Sequence, residues 1–410
     1  MTRRQAWFEA GRSVLTVLTA FSALAGAALV GAAPADAAQG VAVAPGVVYR
    51  QFDIQGAKGV THAHVLSIDL RKRVRLGLLY PGSVAARRTV SGMADAQGAV
   101  AGVNGDFFNI TETQHPGVQA TGASVGPAIV AGRVLKGAVP DGQRFGPQLP
   151  PGTNTGEVLG VGADWRARLD RLTLDGSIRT PTGSLPLGGL NQYALPVGSI
   201  GAFTSDWGSA SRVRATCGTD TDRAAACSTD TYEVAVRSGK VVSLADTPGS
   251  GAIAAGTTVL VGREAGAQQL RKFFTGEAVT VRQKLVASGT RIPYRFALGG
   301  YPVLRKGAPL AGLDDTASAV RTAVGITNGG RGMVLLALDG APAYRSGLTI
   351  AEVADALRDL GAVDGFSLDG GGSSTLVARA PGVTKVSVRN HPSDGTERAV
   401  ANGIGVFTVK

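Results

Sequence analysis

Residues 366–377 read F-S-L-D-G-G-G-S-S-T-L-V, and no other stretch constrains the chain as strongly. A short apolar run ends at Asp369, three glycines follow, and Ser373, Ser374 and Thr375 lead into a second apolar run. The simplest reading is a strand, a tight turn and another strand. Glycine alone takes positive φ at almost no steric cost, so Gly370, Gly371 and Gly372 let the backbone fold closely around a ligand. Successive N–H groups in such a turn can converge on an anion, and the Ser373 and Ser374 hydroxyls are further donors. The stretch therefore offers one carboxylate beside a ring of donors. Taken alone it equally describes a hairpin with a solvated aspartate. It is not a nucleotide phosphate loop, because no Gly-Lys-Ser/Thr follows, and not a hydrolase nucleophile elbow, because the later glycine of G-x-S-x-G is missing.

The start of the chain reads as an export signal. Arg3, Arg4 and Arg12 precede an apolar run from Val14 to Val30, and Ala35-Asp36-Ala37 forms an A-x-A cleavage site, so cleavage is expected after Ala37. The Arg3-Arg4 pair is compatible with a twin-arginine route. No later segment is apolar for long enough to span a bilayer, so the expectation is a secreted protein with no transmembrane anchor after signal cleavage. The two cysteines, Cys217 and Cys227, then pair as one disulfide closing a short polar loop, a reading favoured over a thiol nucleophile. The formal net charge of +11 is scattered, with no Lys/Arg-rich run and no known nucleic-acid pattern. An anionic envelope glycopolymer is the more natural partner, and nucleic acid is not expected.

Along the chain, Gly46 to Leu79 alternates apolar and polar residues around a basic turn at Arg71 to Arg73, which predicts two antiparallel strands. His62 and His64 fall on one face there, with no third metal ligand in sight. Ala99 to Ile110 reads A-V-A-G-V-N-G-D-F-F-N-I, a buried strand delivering Asn104 and Asp106 to its end. Gly132 to Arg291 reads as a β-rich insertion with a short helix over Glu264 to Phe274, ended by Gly276. Trp165, Trp207 and Tyr193 are capable of stacking on sugar rings but equally of packing in a core. Met333 to Asp339 is a buried strand. Thr349 and Glu352 form a capping box ahead of an apolar face of Ile350, Val353, Ala354, Leu357 and Leu360. Glu397 is expected in a loop with His391 and Asp394, and Arg398 on a final strand that pairs antiparallel with a central one.

The motifs V-N-G-D-F-F, L-G-G-Y-P-V-L, R-T-A-V-G, the capped helix, L-D-G-G-G-S-S and E-R-A-V-A-N-G-I-G-V occur in this order. The series resembles the phosphodiester glycosidase family, named for the enzyme that uncovers mannose 6-phosphate. It does so sharply over 99–123 and 298–407 and more loosely between. The resemblance implies hydrolysis of a sugar 1-phosphodiester at the anomeric carbon. It also implies that Asn104, Arg321, Asp369, Gly371, Gly372, Ser373 and Arg398 occupy the family's recurring positions. Asp106 stands where many relatives carry glycine, and Tyr301 stands where glycine is usual in the G-G-G-P turn.

The expected fold is α+β, rich in mixed and antiparallel sheet with few helices. The expected order is a signal over 1–37, an N-terminal β segment over 38–95 and a glycosidase domain over 96–410, with its β-rich insertion at about 130–291. Asp369 is the first candidate for the catalytic carboxylate and Glu397 the second. Asn104, Asp106, Arg321, Gly371, Gly372, Ser373, Ser374 and Arg398 are the candidate substrate-binding residues, and no cofactor or metal is called for. A phosphate leaving group is a weak base, so its departure needs arginines and backbone donors more than a strong acid. The oxocarbenium-like centre needs a carboxylate. A non-catalytic glycopolymer-binding protein and an enzyme attacking phosphorus are the competing readings.

Overall fold

The computed structural model describes residues 40–343 and 346–409, so the export-signal reading over 1–37 lies outside the described residues. The protein is built mostly of antiparallel sheet, with three α-helices among the described residues. This is the β-rich α+β class expected from its short alternating runs and many turns.

Two sheets position the site. The first, eight-stranded, runs in the order Val41–Ala44, Val47–Gly56, Gly59–Asp69, Gly332–Leu338, Thr322–Thr327, Asp364–Leu368, Tyr301–Arg305 and Ala308–Pro309. The second, five-stranded, runs Val386–Val388, Leu376–Arg379, Ala101–Asn104, Gly403–Thr408 and Val74–Leu79. Leu66, Leu336 and Phe366 of the first and Val103, Leu376 and Ile404 of the second are fully buried in one apolar cluster. Burial of this kind contributes about 1.5–3 kcal/mol per large side chain. The insertion forms two further sheets around Ala167–Thr180 and Thr257–Arg263.

Several local expectations are corrected by how strands pair across sheets. The two strands flanking the triglycine turn are not partners in a hairpin: Asp364–Leu368 lies in the first sheet and Leu376–Arg379 in the second. Likewise Gly46 to Leu79 holds three strands, and the third, Val74–Leu79, crosses at the basic turn to pair with Gly403–Thr408. That last strand also pairs antiparallel with Ala101–Asn104, as expected. Arg398, however, is in the loop before it and not on the strand. Trp207 and Tyr193 are core residues, fully buried, whereas Trp165 is half-buried.

Helix α1 (Val90–Gln97) is capped by Thr89, and helix α2 (Ala265–Leu270) belongs to the insertion. Helix α3 (Ile350–Asp359) starts at the expected capping box, with Thr349 and Glu352 exchanging hydrogen bonds of 3.1 and 2.7 Å. Its Leu357 packs onto the first sheet where Gly325 and Gly365 leave room. A methyl group at Gly365 would meet Leu357 at 2.8 Å. The helix thereby backs the strand that ends at Asp369.

Candidate active site

Asp369 sits where the two sheets meet. Its N–H donates to the Gly105 carbonyl at 2.9 Å, and its own carbonyl accepts from Asn104 Nδ2 at 2.7 Å. Asn104 Oδ1 accepts from Thr322 Oγ1 at 2.9 Å and from Thr375 N–H at 3.0 Å. Asn104 is thus a buried clamp around the turn, its Oδ1 accepting twice and its Nδ2 donating once within the protein.

The turn itself is a single 3-10 turn, Gly371–Ser373, with Gly371 in the left-handed region at φ 58°. Gly371 N–H donates to the Val320 carbonyl at 2.8 Å, which brings the Arg321 backbone alongside. At Gly372 a methyl group would meet Arg398 Nη2 and Asp394 Oδ2, so a side chain there displaces that guanidinium from the turn. Arg398 reaches the Ser373 hydroxyl at 3.5 Å and is held from behind by Asp394, at 2.6 and 3.1 Å. The Ser373 hydroxyl hydrogen-bonds the Asp369 carboxyl. Burial pushes the Asp369 pKa up to about 7, with the Asp106 charge adding to the rise and Ser373 and Arg398 opposing it. The residue keeps some exposed surface, although its carboxyl is closely surrounded by protein.

Asp106 is buried, and its Oδ2 accepts from Gly126 N–H at 2.6 Å while Oδ1 has no partner. Its backbone N–H is fixed by Asn402 Oδ1 at 2.9 Å. Burial raises the Asp106 pKa against the pull of Lys136, and burial lowers that of Lys136 against the pull of Asp106. The Lys136 ammonium is fully enclosed and spends its three donors on the carbonyls of Val125, Gly126 and Gly137.

Arg144 is a site residue that the sequence reading missed. Its guanidinium lies over the Phe107 ring at 4.9 Å and the Tyr301 ring at 5.5 Å, in electrostatic contact with Asp106. Nη1 donates to the Pro147 carbonyl, and Nη2 is buried without a partner. Arg321 donates to the carbonyls of Leu348 at 3.0 Å and Ala317 at 2.6 Å. It feels the charge of Asp314 and the Tyr301 hydroxyl. Tyr301, Asp314 and the segment Pro147 to Pro151 line a cleft of about 430 Å³. An unpaired buried carboxylate oxygen and an unpaired buried guanidinium nitrogen in one site leave room for a ligand to complete both.

The structure therefore gathers Asn104, Asp106, Asp369, Gly371, Gly372, Ser373 and Arg398 around one bend, with the Arg321 backbone beside it and the Arg321 guanidinium directed to Leu348 and Ala317. Ser374 is buried behind it, with its hydroxyl 3.0 Å from the Thr322 hydroxyl. Glu397 is turned elsewhere. Its carboxylate accepts from Ser91 N–H at 2.8 Å and from the Ser91 hydroxyl at 2.5 Å, at the N-terminus of α1, where an anion is favoured.

Residues 230–407 match the phosphodiester glycosidase family. The matched phosphodiester glycosidase segment carries Arg321, Asp369, the triglycine turn and Arg398, while Asn104, Asp106 and Arg144 lie upstream of it. Among solved structures, a hypothetical protein from Synechocystis aligns at a TM-score of 0.66 and 19% identity over 89% of this chain. The chain spans 62% of that protein's length. A putative exported protein from Burkholderia pseudomallei aligns at 0.64 and 24% identity, over 86% of this chain and 75% of its own. Both share the fold. The catalytic domain of zebrafish N-acetylglucosamine-1-phosphodiester alpha-N-acetylglucosaminidase, auto-inhibited by its pro-peptide, aligns at 0.45 and 16% identity, over 90% and 86%. No curated protein matches the sequence.

Outside the site, Cys217 and Cys227 form the expected disulfide. Among the described residues no helix is long and apolar enough to cross a membrane.

Proposed function

We propose that this protein is a secreted hydrolase that cleaves a sugar 1-phosphodiester at the anomeric carbon, with an N-acetylglucosamine 1-phosphodiester or a phosphodiester-linked envelope glycopolymer as substrate class. The observation that carries this reading is the Asp369 carboxyl beside Ser373 and Arg398, in electrostatic reach of Asp106 and its neighbour Arg144. The family match over 230–407 supports the reaction class. The disulfide and the leader-like first 37 residues support the location.

The chemistry follows from charge. As the bond from C1 to the phosphate oxygen breaks, its electron pair leaves with the phosphate, and Arg398, Arg321 and the free edge of Arg144 neutralise it. Ionised Asp369 stabilises the positive charge growing at C1, either as nucleophile or as the base that takes a proton from attacking water. The oxygen of that water ends on the sugar, giving a free reducing sugar and a phosphomonoester. Asn104 keeps the Asp369 backbone in place, and Glu397 remains a cap of α1.

The test is hydrolysis of N-acetylglucosamine, glucose, galactose and mannose 1-phosphodiesters in ¹⁸O-water. Label in the released sugar is expected. Label in the phosphate moves the attack to phosphorus, and no release from any substrate leaves a protein that only holds such polymers.

A further inference from the structure

A basic cleft lies at the far end of the first sheet. Strand Gly332–Leu338 pairs with Thr322–Thr327 so that Ala337 and Leu368 both lie opposite Thr322, level with Asp369. Arg331 precedes the other end of that strand. Seven residues at about 3.3 Å each separate the two ends by roughly 20 Å.

At that far end is a cleft of about 370 Å³ whose walls include Lys72, Arg73, Arg75, Trp165, Arg166 and Arg331. Two carboxylates stand near it and both are already neutralised. Asp164 is gripped by Arg168 at 2.7 and 3.0 Å, and Asp69 by Arg71 at 2.8 and 3.0 Å. The five cations Lys72, Arg73, Arg75, Arg166 and Arg331 have no carboxylate partner among the described residues. Crowding unpaired like charges into a concavity raises its potential and concentrates anions there.

The cleft is also pre-organised. The Arg75 guanidinium lies 4.0 Å from the Trp165 ring centroid, and that of Arg295 lies 4.8 Å from it. Arg75 Nη1 donates to the Val74 carbonyl at 2.7 Å, and the remaining N–H groups of the stacked guanidinium are left for the oxygens of a phosphate. Trp165 itself takes a left-handed backbone, φ 60°, which is rare for an aromatic residue and is held by its N–H bond to the Gly162 carbonyl at 2.9 Å. Strain of that kind persists where the surrounding structure enforces it and clusters at binding positions.

We propose that this cleft is an accessory site for a single anionic glycopolymer strand bearing phosphodiester groups, separate from the site at Asp369. Five cations from three chain segments fit a repeating anion better than one small ion. The indole face is occupied by Arg75, so the cleft lacks the open stacking platform that bases require. Its concavity suits a strand and not a bilayer. The choice of polymer rests on the function proposed above; the binding itself does not.

The test is titration of purified poly(glycerol phosphate) into the protein by calorimetry at two salt concentrations. The triple variant Arg75→Ala, Arg166→Ala, Arg331→Ala is expected to bind at least about tenfold more weakly, with a salt slope smaller by about two to three. Its thermal midpoint and its turnover of a small sugar 1-phosphodiester are expected to match wild type. Trp165→Ala, which removes no charge, is expected to weaken binding too because Arg75 and Arg295 lose their support. Equal affinity in wild type and the triple variant overturns the site. So does tighter binding of a thymidine oligonucleotide or of phosphatidylglycerol vesicles that the triple variant loses in parallel. If the wild type binds the polymer and turns over no substrate, the accessory site stands and the hydrolase reading fails alone.

Discussion

Asn104 donates from Nδ2 to the carbonyl of Asp369 at 2.7 Å, across 265 positions of sequence. The same side chain accepts from Thr322 and Thr375, so one buried amide fastens the turn to both sheets. Asn104→Ala leaves the Asp369 carbonyl and the Thr375 N–H without partners inside the protein, while the Thr322 hydroxyl keeps Ser374. At about 1–3 kcal/mol for each group left unsatisfied, a loss of about 2 kcal/mol or more in urea unfolding is expected. Turnover is expected to fall as well, since Asp369 is no longer pinned. A variant of unchanged stability sinks the clamp.

Asp369 sets the pH dependence. Its pKa is pushed up to about 7, and the proposed role needs the ionised form. On a small sugar 1-phosphodiester, kcat/KM is therefore expected to rise with pH through about 7 and level off above it. Asp369→Asn is expected to reduce kcat/KM by about 10²- to 10⁴-fold with unfolding unchanged. A profile that falls over the same range makes Asp369 a protonated acid and overturns the ionised role.

What could be read in the sequence was what local chemistry dictates. The triglycine turn after a buried strand and the Thr349/Glu352 box each carry their own signal within a few residues, and both form as expected. The pairing of the flanking strands with different sheets depends on register with segments far away, which no local pattern records. The sequence pattern predicts Arg398 on the final strand, yet that strand starts only at Gly403. Arg144 sits in a turn without periodicity, and Lys136 looks like any strand-end lysine. Only the fold shows that Arg144 stacks on Phe107 and Tyr301 while Lys136 is walled in beside Asp106. Glu397 is the second carboxylate candidate by sequence, but α1 claims its carboxylate through Ser91.

Arg144 carries a third expectation. Its unpartnered Nη2 is available to a substrate oxygen, and a hydrogen bond to a charged group contributes about 1.5–3 kcal/mol. Arg144→Ala is expected to lower kcat/KM about 10- to 150-fold, and Arg144→Lys to recover only part, because an ammonium lacks the forked edge. Steady-state kinetics with matched thermal midpoints checks this. Full activity in Arg144→Ala removes it from the site.

Acid stability tests a histidine cluster on the first sheet. His64 is buried, its Nδ1 bonds the Tyr49 hydroxyl at 2.7 Å, and its Nε2 has no hydrogen-bond partner. Asp339 Oδ2 lies 3.9 Å away, and His62 and His391 are the other charges it faces. Burial lowers its pKa to about 4, from 6.5 in the unfolded chain, against the opposing pull of Asp339. Between those values the unfolded state binds the proton more readily, so stability is retained above about pH 6.5 and is lost as pH falls towards 4. At pH 5 the loss from this group comes to about 2 kcal/mol. Urea unfolding at pH 7 and pH 5 is expected to show that extra loss in wild type and not in His64→Asn. Equal pH slopes in the two proteins would show that His64 is not the group whose protonation opens the fold.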